Sequence, residues 1–73
     1  MDKKTLELKL ELSKDLSKII KLGLNKYDLQ RMTALANSIW SCENIENNYK
    51  YYKKDLKAYL KQYKEFYIKK AEY

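Results

Sequence analysis

The chain reads as an all-α protein, a small three-helix arrangement with a long C-terminal helix. Three observations predict it. Proline is absent and Gly23 is the only glycine, so little interrupts helix before or after one turn. Apolar residues recur at steps of three and four rather than two through most of the chain. The spaces between them are filled by Leu, Lys and Glu, which favour helix.

Asp2 can cap a first helix over residues 3–22, whose stripe is Leu8, Leu12, Leu16 and Ile19, widened by Ile20. Gly23 supplies the left-handed residue that ends helices. One stretch disagrees. Residues 5–12, TLELKLEL, alternate as a half-buried strand does. As a helix they put Leu6 and Leu10 more than about 100° from the main stripe. Leu, Glu and Lys are helix formers and no β-branched residue except Thr5 supports a strand, so the stretch is read as helix.

Asn25, with Asp28 three residues on, makes a capping arrangement for a second helix over 26–41. Leu29, Met32, Ala36 and Ile39 mark its face, with Leu35 and Trp40 beside it. The polar stretch 41–44 is a break, with Ser41 as a cap for the third helix, predicted over 44–71. At 1.5 Å per residue that helix is about 40 Å long, against about 30 and 24 Å for the other two. It overhangs them, which leaves its end free to fray or to pack on another chain.

The third helix holds the most information. Seven of the eight tyrosines lie in residues 48–73, with eight of the sixteen basic groups. Tyr49, Tyr52, Leu56, Tyr59, Tyr63 and Phe66 fall on a seam at a seven-residue period, flanked by Leu60 and Tyr67. Lys50, Lys54, Lys57, Lys61 and Lys64 fall on the opposite side. Tyrosine suits a half-wet interface, where the ring is buried and the hydroxyl stays at the rim. Tyr52, Tyr59, Tyr63, Phe66 and Tyr67 are therefore the candidate partner-binding residues, and the five lysines a candidate basic face. A core seam, or a self-interface in a homodimer, is the plainer reading of the same tyrosines.

At 73 residues one core is marginal, and small scaffolds add disulfides, a metal or a second copy. Cys42 is alone and histidine is absent, so neither an internal disulfide nor a nitrogen/sulfur metal site is expected. A partner or a dimer is the remaining source of stability. No stretch approaches the ~18 apolar residues of a membrane span and no signal-peptide pattern opens the chain, so a soluble cytoplasmic protein is expected.

Catalysis is not expected either. Without histidine, acid–base work falls to carboxylates, and these are scattered among lysines. The row Glu7, Glu11, Asp15 reads as a solvated face. One glycine cannot build a phosphate loop, and no cofactor is implied.

The net charge of +6 is concentrated, with +5 in residues 49–73 and +1 in 1–48. Such asymmetry suggests an acidic partner. The strip carries no arginine (Arg31 is the only one), which argues against base-specific recognition. The Lys, Asn, Tyr and Ile bias also matches AT-rich coding, as in low-GC bacteria and their phages and plasmids. The first expectation is thus a non-enzymatic inhibitor or adaptor, phage- or plasmid-encoded, that occupies a larger host or phage protein, an anti-defence protein against a host nuclease being one example. Nucleic acid is the second choice of partner.

Residues 5–37 resemble the ribbon-helix-helix DNA-binding family. Leu6, Leu8, Leu10 and Leu12 match its inward strand positions, Ser13 its first cap, and Gly23-Leu24-Asn25 its turn, with Leu29 and Met32 following. The resemblance implies a strand paired across a dimer and a DNA-binding regulator. It departs in a first helix about one turn short and in carboxylates, Glu7 and Glu11, at the groove-reading positions.

Overall fold

A computed structural model describes residues 2–68. They form α1 (Lys3–Ile20), α2 (Lys26–Ser41) and α3 (Ile45–Tyr63), and α3 runs on into a π-helical turn, Lys64–Ile68. The predicted stretch 69–71 lies outside the described residues. No described residue is in a strand, and residues 5–12 lie inside α1. The strand that the ribbon-helix-helix resemblance requires is therefore a helix here. Propensity prevailed over alternation, and the cost falls on Leu6 and Leu10, left 40% and 46% exposed.

The ends follow their caps. Asp2 Oδ1 accepts from the Thr5 amide at 2.8 Å, and Asn25 Oδ1 from the Asp28 amide at 2.8 Å. Two donors that a helix start leaves without partners are thereby satisfied. The helix predicted to reach residue 22 stops at Ile20, and the amides of Leu22 and Gly23 close its last turn on the carbonyls of Ile19 and Ile20. Gly23 has φ of 80°, where a side chain would be strained. Ser41 is not the cap of α3 but the last residue of α2. Asn44 takes the role, its Oδ1 facing the Asn47 amide at 3.4 Å.

Cross-contacts set the directions. Lys53 of α3 meets Glu11 and Asp15 of α1, Lys9 of α1 meets Trp40 of α2, and Tyr63 meets Asp28 of α2. So α1 and α3 run parallel, with α2 antiparallel to both, in a body of 47 × 19 × 15 Å. The core is Leu12, Leu16 and Ile19 from α1, Met32 and Ile39 from α2, and Ile45, Leu56 and Tyr63 from α3. Each aliphatic side chain buried there contributes about 1.5–3 kcal/mol. No helix among the described residues is long and apolar enough to cross a membrane.

Candidate partner-binding face

The two sides of α3 have different fates. Its tyrosine side faces inward. Tyr63 is 4% exposed, and Tyr49, Tyr52, Tyr59 and Tyr67 pack half-buried against the core. Of the five candidate partner-binding residues only Phe66, 52% exposed, stands mainly in solvent. The seam expected to receive a partner is largely occupied by this chain's own α1 and α2, because the small aliphatic core leaves room that rings fill.

The rings are staggered rather than stacked. Tyr59 and Tyr63 lie 5.7 Å apart, Tyr63 and Tyr67 meet edge to face at 5.9 Å, and Phe66 meets Tyr67 edge to face at 5.1 Å. Such pairs contribute about 0.5–1.5 kcal/mol beyond area. Their hydroxyls converge on the start of α2. Tyr67 donates to Asp28 Oδ2 and accepts from the Asn25 amide at 3.1 Å, while Tyr63 makes a longer contact with Asp28 Oδ1 at 3.5 Å. In a regular α-helix residues four apart diverge by about 40°. The π turn widens the helix and lets Tyr63 and Tyr67 reach one carboxylate.

Burial pushes the hydroxyl pKa of Tyr49, Tyr52, Tyr63 and Tyr67 upward. After burial, the largest contributors are the Glu11 carboxylate that accepts from the hydroxyl for Tyr49, Cys42 for Tyr52, and Asp28 for Tyr63 and Tyr67. All four act as neutral phenols in a half-dry seam.

The lysine side faces outward. Lys50, Lys54, Lys57, Lys61 and Lys64 are all exposed. At about 100° per residue they fall within an arc of about 80°. Lys53, at the edge of this strip, is withdrawn from it. Its Nζ lies 2.7 Å from Asp15 and 3.4 Å from Glu11, and the Asp15 bond raises its pKa. The acidic row read as a solvated face thus has two members fastened to α3. A pair this wet contributes no more than about 1 kcal/mol, but it removes negative charge that would otherwise offset the strip. Tyr49 and the stems of Lys50, Lys53, Lys54 and Lys57 line a shallow recess of about 280 Å³. Tyr51, 70% exposed, stands on the other side of Lys54.

Two features were missed from sequence. Lys9 is 3% exposed, and its Nζ donates to the Trp40 carbonyl at 2.9 Å. Its signal was present, since 9, 12, 16 and 19 step by three, four and three along the buried face, but the alternating run disguised it. Asp28 was read only as a capping partner, and nothing local to it announces the two phenols that arrive from α3.

A second recess, about 230 Å³, lies between the start of α2 and the π turn, lined by Asn25, Asp28, Arg31, Gln62, Tyr63 and Phe66. No group of three or more His, Cys, Asp or Glu among the described residues is arranged to hold a metal. Cys42 is half-buried, with Asn48 Nδ2 directed at its sulfur at 3.7 Å. Comparison with protein-family models, characterised proteins and solved structures yields no match for this chain.

Proposed function

We propose that this protein is a non-enzymatic binding protein, an inhibitor or adaptor that occupies an acidic surface on a larger protein. Its contact face is the lysine strip of α3, not the tyrosine seam expected from sequence. The observation that carries this reading is the sidedness of α3: Tyr49, Tyr52, Tyr59 and Tyr63 are turned into the bundle while five lysines stand exposed on one arc. Tyr51 gives that strip an aromatic edge, the kind of side chain on which binding energy concentrates. A protein partner is favoured over nucleic acid on two grounds. The strip has no guanidinium to fork onto phosphates, and Asp55 and Glu65 lie on the exposed surface of the same segment. A discrete acidic patch can avoid those carboxylates more readily than a continuous polyanion can. A phage or plasmid protein directed at a host nuclease fits this description, since such a nuclease can be blocked by occupation alone.

The test is a Lys54→Gln/Lys57→Gln/Lys61→Gln variant carried through a pull-down from host lysate, with and without nuclease. The expected result is one protein recovered after nuclease treatment by the native chain and lost by the variant, whose circular dichroism is unchanged. Recovery of nucleic acid instead, with affinity falling steeply as salt releases condensed counterions, would replace this reading with the nucleic-acid one. Undiminished recovery by the variant would remove the lysine strip from the interface.

A further inference from the structure

The lysine strip of α3 is not uniform along its length. Lys50, Lys54, Lys57, Lys61 and Lys64 step by four, three, four and three, a row about 21 Å long. The first half of the row has a floor. There Tyr49 and the stems of Lys50, Lys53, Lys54 and Lys57 line the recess of about 280 Å³. The Tyr49 hydroxyl is turned away to Glu11 of α1, so the recess meets the ring and not its polar end. Its walls are methylenes and one ring, and its rim belongs to four ammonium groups. Beyond it the row goes on through Lys61 and Lys64.

The charge around the recess is lopsided. Glu46 lies one turn before Lys50, and Glu65 ends the row after Lys64. On α1, Lys4, Glu11 and Lys18 step by seven along the flank toward α3, with Asp15 inside them. Lys53 holds both of those carboxylates, so that flank offers no free negative charge. Glu7 and Lys14, farther round α1, offset each other. An acidic chain seated at the recess is therefore drawn toward Lys61 and Lys64 and away from Glu46.

We infer that the recess seats one aromatic side chain of the protein partner, carried on an acidic segment whose carboxylates run on toward Lys61 and Lys64. This rests on the acidic-partner reading above and adds what makes that contact selective. Lysine is a compact charge on a flexible stem and attracts with little geometry. The recess supplies the geometry. An aromatic ring buried there leaves water, meets the ring of Tyr49, and draws the rim ammonium groups to its face. A nucleic-acid strand fits less well. Proteins that hold single strands stack successive bases on several rings, and here Tyr51 stands apart from Tyr49, on the other side of Lys54.

Calorimetric titration of the full chain with three acetylated peptides tests this. One is phenylalanine followed by six glutamates, the second has serine for the phenylalanine, and the third has six glutamines for the glutamates. An extended run of six residues spans about 20 Å, enough to reach Lys64 from the recess. The first peptide should bind with Kd below about 1 mM. Serine should weaken it at least about tenfold at low and at high salt, since salt screens charge and not apolar burial. Glutamine should weaken it at least about tenfold at low salt. The phenylalanine ring should show NMR contacts to the ring of Tyr49. Equal binding of the phenylalanine and serine peptides overturns the aromatic seat and leaves the acidic-partner reading standing. No binding of the first peptide at about 1 mM overturns the recess as a site, and the lysate recovery, made with the partner itself, then decides the broader reading alone. Ring contacts elsewhere on the molecule overturn the inference, as does tighter binding of an oligothymidine of equal charge, which would give the strip to nucleic acid.

Discussion

At its C-terminal end α2 meets a lysine from α1, and at its N-terminal end it meets tyrosines from the far end of α3. The lysine end is closed by one bond, Lys9 Nζ to the Trp40 carbonyl at 2.9 Å, with Ile39 and Ile45 fully buried nearby in sequence. The tyrosine end is closed by Asp28 and the hydroxyls of Tyr63 and Tyr67, with three rings in edge contact above them. Both ends obey the helix dipole, an ammonium at the carbonyl terminus and a carboxylate in the first turn. They differ in how the polar anchor is sheltered. A lysine reaches inward on a long stem whose methylenes pack as a hydrophobe would. A tyrosine brings its own apolar bulk, so anchor and core are one side chain. At that end rings join the aliphatic core, with Tyr63 in it and Tyr59 and Tyr67 packed against it.

The largest effect should come from emptying the tyrosine end. Tyr63 is 4% exposed, and truncating a buried aromatic to alanine costs about 3–5 kcal/mol. A chain of 73 residues has on the order of 4–11 kcal/mol in all. Tyr59→Ala with Tyr63→Ala should therefore abolish the cooperative thermal melt, or move it below room temperature. A double variant that melts as the native chain does would show that these rings contribute contact surface and not core. Ile39→Ala gives the matched measurement at the other end, with an expected loss of about 2–5 kcal/mol.

How much of this was legible beforehand differs between the same two ends. The order of helices, the Asp2 and Asn25 caps, the Gly23 turn and the stripe Leu12, Leu16, Ile19 could all be read, because each is encoded within a few residues. The roles of Lys9 and Tyr63 could not. Lysine at a seam position and lysine on a solvated face look alike until α2 supplies a carbonyl, and that carbonyl is 31 residues away. Tyrosine at a seam suits a core, a self-interface or a foreign partner alike until an acceptor for its hydroxyl is known, and the one that Tyr63 meets, Asp28, is 35 residues away. The π turn had no sequence mark at all.

The lysine end can be broken more gently. Lys9→Met keeps the stem's packing and removes the ammonium. Leaving a buried acceptor without a donor costs about 1–3 kcal/mol. Here a recess of about 410 Å³, lined by Lys9, Trp40, Cys42 and neighbouring polar residues, adjoins the Trp40 carbonyl, so water can replace part of the bond. The expected loss is about 1 kcal/mol, at the bottom of that range. It would appear as a lower urea midpoint with an unchanged slope. A stabilised variant would mean that burying the ammonium costs more than its bond returns.

The smallest effect at neutral pH, and the one that separates the ends best, is alkaline titration. Tyr63 and Tyr67 have hydroxyl pKa values raised in the folded chain, by burial first and then by Asp28. An acid whose folded value is raised holds its proton more tightly when folded. Its contribution is complete below the unfolded value, about pH 10 for a phenol, and is lost as pH rises beyond it, because the unfolded chain then releases protons more readily. Tyr49 and Tyr52 act in the same direction. So does Lys53, whose value Asp15 raises, and which loses its ion pair in the same window. The urea midpoint should hold between about pH 7 and 9 and fall above about pH 10. Tyr63→Phe should make that fall shallower, and Lys53→Met should do so independently, since the two sit on different faces of α3. Phenolate absorbance followed alongside assigns the loss to ring or lysine. A midpoint that falls equally in the native chain and in Tyr63→Phe would place the alkaline weakness outside the Asp28 cluster, and would leave the two ends of α2 alike in their response to pH.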